Sequence, residues 1–249
     1  PKKINKLYFK KLAGKFKLHN KSKKSNGFDP VTNIDQSIEI FLRKEIAKKF
    51  PKDGIVGEEF KVKKSKSGFS WIIDPIDGTH GFMRGMPIWA TLIALSVEGE
   101  VIGSIISAPA LATRWWAGKE AGAHKSFCGG NPELISTSNR AAISDAQLLY
   151  TGSVACRSRW AGFDNLINSA WRERGVGDFW GHCLVAEGVA EVMLDPIVSI
   201  WDVAALDLLV REAGGMMTNS SGNPTFADGH VISSNGIVHQ AALAQLLSG

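Results

Sequence analysis

Four acidic positions in this 249-residue chain stand where side chains can converge. Glu58 lies in Gly57-Glu58-Glu59, Asp74 and Asp77 flank Pro75-Ile76 in the run WIIDPIDGT, and Asp202 follows Trp201 at the head of a long apolar stretch. Residues 69–74 (FSWIID) are rich in aromatic and branched side chains and read as a strand that ends by delivering Asp74. Asp77 follows three residues on, and Pro75 stiffens the turn between them. Such a turn can aim two carboxylates and the Ile76 carbonyl at one point. Hard cations such as Mg²⁺ take oxygen ligands of that kind, and a cation relieves the repulsion among clustered acids. Gly78-Thr79 then opens a short helical turn whose backbone N–H groups can meet a phosphate, with Gly78 letting it come close. Each acid also has a plainer use. Asp-Pro and Asp-Gly are common turn pairs, Asp202 and Asp35 have capping-box spacing from Ser199 and Thr32, and Glu58 suits a solvated loop. The four together are harder to dismiss than any one of them.

The elements that must position these residues follow from periodicity. Ile34, Ile38, Phe41, Leu42, Ile46 and Phe50 recur at helical steps, so residues 32–50 are expected to form an amphipathic helix, capped by Thr32 and stopped by Pro51. Residues 53–59 read as a short strand, 88–97 and 101–107 as a hairpin across Glu98-Gly99-Glu100, and 112–117 as its continuation. Trp115-Trp116 is read as core rather than as a stacking platform. Gly129, Gly130, Asn131 and Pro132 mark a break between halves of about 1–128 and 129–249. Beyond it, helices are expected over 160–171, 180–189, 201–213 and 238–247, with strands over 189–194, 216–218 and 231–233; Gly214-Gly215 closes the third helix. Strands alternating with helices give an α/β layered fold.

Composition excludes several classes. The chain is 44% hydrophobic and 21% charged, as in ordinary globular proteins. Three widely spaced cysteines (Cys128, Cys156, Cys183) without a CxxC pair argue against a disulfide framework or a zinc site and for reduced, buried thiols in a cytoplasmic protein. No apolar run has the length of a membrane span or a signal core. The net charge of +5 is local: ten lysines fall within residues 1–24, and the other 19 basic residues are outnumbered by 24 acidic ones. That arm reads as a solvated surface, with near-helical spacing over residues 4–12. An anion-binding role would carry an aromatic-interleaved or motif-bearing pattern, which is missing.

The motifs GEE (57–59), WIIDPIDGT (71–79) and WDVAALDLLVREAGG (201–215) resemble the three signatures of the inositol monophosphatase superfamily, in the right order and covering the chain from about residue 4 to 249. PVTNIDQSIE, FPKDGIVGEEF, GMPIWATLIAL, RGVGDFWGHCLVAEGVAEVMLDP and SIWD are similar to its histidinol-phosphatase branch. The resemblance implies alternating α-β-α-β-α layers in a single catalytic domain, two or three Mg²⁺ ions, and hydrolysis of a small phosphate monoester, with L-histidinol phosphate of histidine biosynthesis first among substrates. By position, Glu58, Asp74, the Ile76 carbonyl, Asp77 and Asp202 match metal ligands. Thr79 with Asp35 matches the pair that activates the attacking water, to which Glu58 also contributes. Ile76, Asp77, Gly78 and Thr79 match the phosphate-binding turn. Arg174, Asp195 and Asp202 match substrate contacts, and Asp178 is a candidate for the substrate's cationic end. A homodimer is compatible with the family; neither nucleic acid nor membrane is expected as a partner.

Where the branch has Arg-Ala-Phe after DPIDGT, this chain has His80-Gly81-Phe82, and His80 is either a phosphate neighbour or a loop residue. The family's first helix is matched only in part, so the chain is expected to begin inside the natural protein. Two alternatives remain at this level. One is an inositol monophosphatase or a 3′-phosphonucleotide phosphatase on the same fold: an acid-lined pocket beside Asp178 favours histidinol phosphate, a basic, aromatic one a nucleotide. The other is a binding protein using the lysine arm on nucleic acid, with salt-sensitive affinity lost on deleting residues 1–24.

Overall fold

The computed structural model describes residues 18–20, 30–224 and 228–248. The helical reading of residues 4–12 and the Thr32 cap lie outside what is described. Strands β1 (Leu18–Asn20) and β2 (Pro30–Thr32) pair antiparallel ahead of helix α1 (Asn33–Lys49). A seven-stranded sheet follows in simple order: β3 (Gly54–Gly57), β4 (Phe69–Asp77), β5 (Ala90–Val97), β6 (Glu100–Ala108), β7 (Thr113–Gly118), β8 (Gly122–Phe127) and β9 (Glu133–Ile135). Only β3 and β4 are parallel; the rest is a meander. Glu98 and Gly99 both take positive φ, at 52° and 87°, as a tight hairpin requires. The Gly129–Pro132 break is itself a hairpin loop joining β8 to β9, so the chain leaves this sheet only after Ile135.

The second sheet has the order β11 (Arg172–Gly175), β10 (Gln147–Tyr150), β12 (Val192–Asp195), β14 (Val231–Ser234), β13 (Met216–Thr218). β10, β11 and β12 run parallel, which requires crossover connections; α3 (Ser153–Arg159), α4 (Phe163–Ser169) and α5 (Asp178–Ala186) supply them. Helix α6 (Ile200–Glu212) touches β4 through β8 on one side and β13 and β14 on the other, and α5 packs beside it. Val203 through Val210 are buried without interruption because α6 is enclosed by both sheets, so its apolar character runs all round. α1 covers the far face of the large sheet, where Ile46 meets Ile55 and Ile73. α4 and α7 (His239–Leu247) cover the far face of the small one, where Leu166, Leu243 and Leu246 meet Leu148, Val192 and Ile232. The result is the α-β-α-β-α order expected.

Three local expectations change. β4 does not end at Asp74 but continues to Asp77. Phe41 and Phe50 of the α1 stripe are 42% and 46% exposed, and the inward positions beside Ile34 and Ile38 go to Asp35 and Glu39 instead. Cys156 and Cys183 are buried free thiols, whereas Cys128 is exposed at the β8–β9 turn. Trp115 is core, 2% exposed with its indole N–H donating to Glu187 at 2.6 Å. No helix among the described residues is long and apolar enough to cross a membrane.

Candidate active site

Two residues three apart on a regular strand point to opposite faces. Asp74 and Asp77 escape this because β4 bulges between them: Asp74 pairs with Leu92 but Asp77 with Ala90, so three steps on β4 oppose two on β5. Thr91, opposite the bulge, donates its hydroxyl to the Pro75 carbonyl at 2.9 Å. Asp77 accepts the Phe179 N–H at 2.6 Å, which ties the end of β4 to the first turn of α5. Asp202, in the first turn of α6, accepts the Ser199 N–H at 2.6 Å. It therefore is a capping residue, as its spacing suggested, and faces the other two acids as well. One carboxylate oxygen from each of Asp74, Asp77 and Asp202 lies within 4.8 Å of the others.

That closeness is costly without a cation. Burial, then the charges of Glu58, Asp77 and Asp202, push the Asp74 carboxyl well above the usual carboxylate range. Burial, then Asp178 and Asp202, do the same to Asp77. Burial raises Asp202 to about 7 despite the Ser199 N–H. Asp74 Oδ1 is buried with no hydrogen-bond partner. An all-oxygen set with an orphaned, charge-bearing oxygen fits a hard divalent cation. Glu58 is half-buried on the same cavity, outside that tight trio. Its turn is held from behind by a residue that sequence reasoning missed. Glu39 accepts the Glu59 N–H at 2.8 Å, pairs with Arg43 at 2.7 Å and lies so close to Gly57 that any Cβ there would overlap its carboxylate. Its available signal was the i, i+4 spacing from Asp35 on the inward face of α1.

The cavity has a volume of about 560 Å³. Glu58, Asp74, Ile76, Asp77, Gly78, Thr79, Asp178, Asp195 and Asp202 all line it, so the structure brings together nearly every residue singled out above. Thr79 donates its hydroxyl to the Ile76 carbonyl at 2.8 Å, with Asp35 Oδ1 a longer alternative at 3.5 Å. Gly78 has φ 81°, and a Cβ there would stand 3.0 Å from the Ile88 carbonyl and 3.3 Å from Asp178 Oδ2. His80 also lines the wall. Asp178 is itself raised to about 6, by burial first and by Asp195 second. Arg174 stands apart: it is exposed on edge strand β11, with its guanidinium on the Glu173 carbonyl at 2.7 Å. Thr151, Ile197, Val198 and Trp201 also line the wall without having been anticipated, and Ser199, read only as a cap, does so as well. Thr151 follows β10, a four-residue strand too short to declare itself in sequence.

The profile of the inositol monophosphatase family matches residues 2–248. The chain belongs to that family. Among curated proteins, the family relatives include histidinol-phosphatase of Mycobacterium tuberculosis, 42% identical with 88% of this chain and 85% of the relative covered, and histidinol-phosphatase of Streptomyces coelicolor, 38% identical with 87% and 84% covered. Among solved structures, an inositol monophosphatase of Thermotoga maritima superposes with a TM-score of 0.80 at 29% identity, over 98% of this chain and 94% of that one. The recognition made from GEE, WIIDPIDGT and WDVAALDLLVREAGG therefore holds, as does the layered fold. As an inositol monophosphatase family member the chain is a phosphoric monoester hydrolase, and its acidic cluster is one that can bind metal.

Proposed function

We propose that this protein hydrolyses L-histidinol phosphate to L-histidinol and phosphate with Mg²⁺, as a cytoplasmic step of histidine biosynthesis. The observation that carries the substrate is the composition of the cavity wall. Beyond the metal-facing acids it holds two more carboxylates, Asp178 and Asp195, and among the described residues no lysine or arginine. Such a wall favours a ligand that is anionic only at its phosphate and cationic elsewhere, and disfavours a nucleotide. The names of the relatives at 38–42% identity agree.

Asp74, Asp77, Asp202, Glu58 and the Ile76 carbonyl would hold the ions. Ions held there would supply charge neutralisation at the phosphoryl oxygens, a more acidic water and stabilisation of the leaving alkoxide. The protein's share is positioning. Gly78, with no side chain, lets the phosphoryl group approach the backbone at the head of α2 (Thr79–Met83). Thr79 Oγ1 donates its hydrogen bond to the Ile76 carbonyl or Asp35 Oδ1, which leaves its lone pairs free to accept a hydrogen bond from the attacking water and orient it. Asp178 and Asp195 hold the amino-alcohol end, while Ile197 and Trp201 at the cavity wall shed water from its ring.

Phosphate release from L-histidinol phosphate, myo-inositol 1-phosphate and a 3′-phosphonucleotide, each with Mg²⁺ and with chelator, tests this. Histidinol phosphate should show the highest kcat/KM and no turnover without the ion. Faster turnover of either competitor overturns the substrate, and undiminished turnover in chelator overturns the mechanism.

A further inference from the structure

Behind the wall formed by Asp178 and Asp195 lies a histidine that the hydrolysis itself does not use. His182 stands on α5 one helical turn after Asp178 and is 1% exposed. Its Nδ1 is 2.8 Å from Ser233 Oγ on β14. Its Nε2 is buried with no hydrogen-bond partner and faces Asp195 Oδ2 at 3.7 Å. The register explains the alignment. Met193 pairs with Ser233, so the two-residue repeat puts Ser233 and Asp195 on the same face of the small sheet, the face that α5 covers.

A serine hydroxyl donating to Nδ1 leaves the ring proton on Nε2, directed at Asp195. The 3.7 Å gap exceeds a hydrogen bond, and a small swing of the Asp195 carboxylate toward the ring closes it. Imidazole suits this place better than lysine or arginine: one ring nitrogen can accept from Ser233 while the other donates to the carboxylate, whereas lysine and arginine only donate. A buried donor aimed at a carboxylate that lines the cavity also has no role in holding the metal-facing acids, which lie on β4, on α6 and just after β3.

We infer that His182 is a positioning residue for substrate specificity: through its Nε2–H it orients Asp195 so that Asp195 and Asp178 together receive the cationic group of an amino-alcohol phosphate. The inference deepens the substrate reading above and rests on it.

The test compares L-histidinol phosphate with phenyl phosphate, a monoester lacking a cationic group, on the Mg²⁺-loaded full chain. His182→Ala should raise KM for L-histidinol phosphate about tenfold, the worth of one charge-assisted hydrogen bond, with kcat little changed and a loss several-fold smaller on phenyl phosphate. His182→Gln, whose amide can donate from a similar place, should recover part of the loss. Ser233→Ala frees the ring without opening space beside Asp195; it should shift KM the same way by a smaller factor, and it carries the test if His182→Ala fails to fold. Equal losses on both substrates, or a loss confined to kcat, overturn the role of His182. Failure of the native protein to turn over L-histidinol phosphate while it cleaves phenyl phosphate overturns the substrate reading, and this inference with it.

Discussion

The two walls of the cavity are built in opposite ways. The metal-facing wall is mostly local: Asp74, Ile76 and Asp77 come from one bulged strand end, and only Asp202 and Glu58 arrive from elsewhere. The opposite wall is assembled from distant pieces, with Asp178 heading α5, Asp195 ending β12, and Thr151 and Ile197 on separate loops. On the first wall, raised carboxyl groups crowd to within a few ångströms and call for a cation. On the second, two acids outside that trio line the cavity, one of them faced by His182. On the function proposed above, phosphoryl transfer and the choice of substrate rest on different parts of the chain, and can be perturbed separately.

The largest effect is expected on the metal-facing wall. Asp77→Asn keeps an acceptor for the Phe179 N–H but removes a charge, so phosphate release should fall by about a thousandfold or more with the melting temperature held. Retained activity would break the division between the walls. The same wall should govern pH dependence of stability in chelator. Asp202 titrates at about 7 when folded and in the ordinary carboxylate range when unfolded, so the folded state binds the extra proton between those values. The contribution of Asp202 to the stability of the cation-free protein is then fully present below about pH 4 and lost as pH rises through about 7. Mg²⁺ should flatten that slope and raise the melting temperature at pH 7 by mass action; thermal melts across pH, with and without the ion, check both.

A smaller effect sharpens the link between the walls. Phe179 is fully buried between α5 and Trp115, with ring centroids 6.1 Å apart, and its backbone holds Asp77. Phe179→Ala should cost about 3–5 kcal/mol in denaturant unfolding, and should weaken Mg²⁺ binding measured by calorimetry as α5 loosens. The smallest change belongs to the second wall. Asp178→Asn should raise KM for L-histidinol phosphate about tenfold and leave phenyl phosphate less affected. An equal loss on both would mean that Asp178 serves the metal side.

Much of this was legible in the chain. The span of α1, the strand into Asp74, the Glu98-Gly99 hairpin and the enclosed helix α6 each follow from a period or a turn signal, and the structure has them within a few residues. β10 and β11 were not legible. QLLY and RERG are four residues each, and parallel strands of that length are stabilised by neighbours distant in sequence rather than by their own pattern. Glu39 escaped notice for a related reason: an acid on a helix reads as solvated until the Glu59 N–H and Arg43 are seen to meet it. Arg174 shows the reverse, a motif position that the structure leaves on an exposed edge.

By itself the sequence determined the family, the layered class and which carboxylates to look for at one site, because those depend on residue types at short spacing and on apolar periods that burial must satisfy. Tertiary structure alone decided that Asp74 and Asp77 share a face, since that depends on a bulge set by β5. It alone decided that Asp178, Asp195 and His182 meet, since nothing local in the chain ties α5, β12 and β14. Their meeting comes from closing two sheets over one pair of helices, which buries the apolar faces of all of them at once.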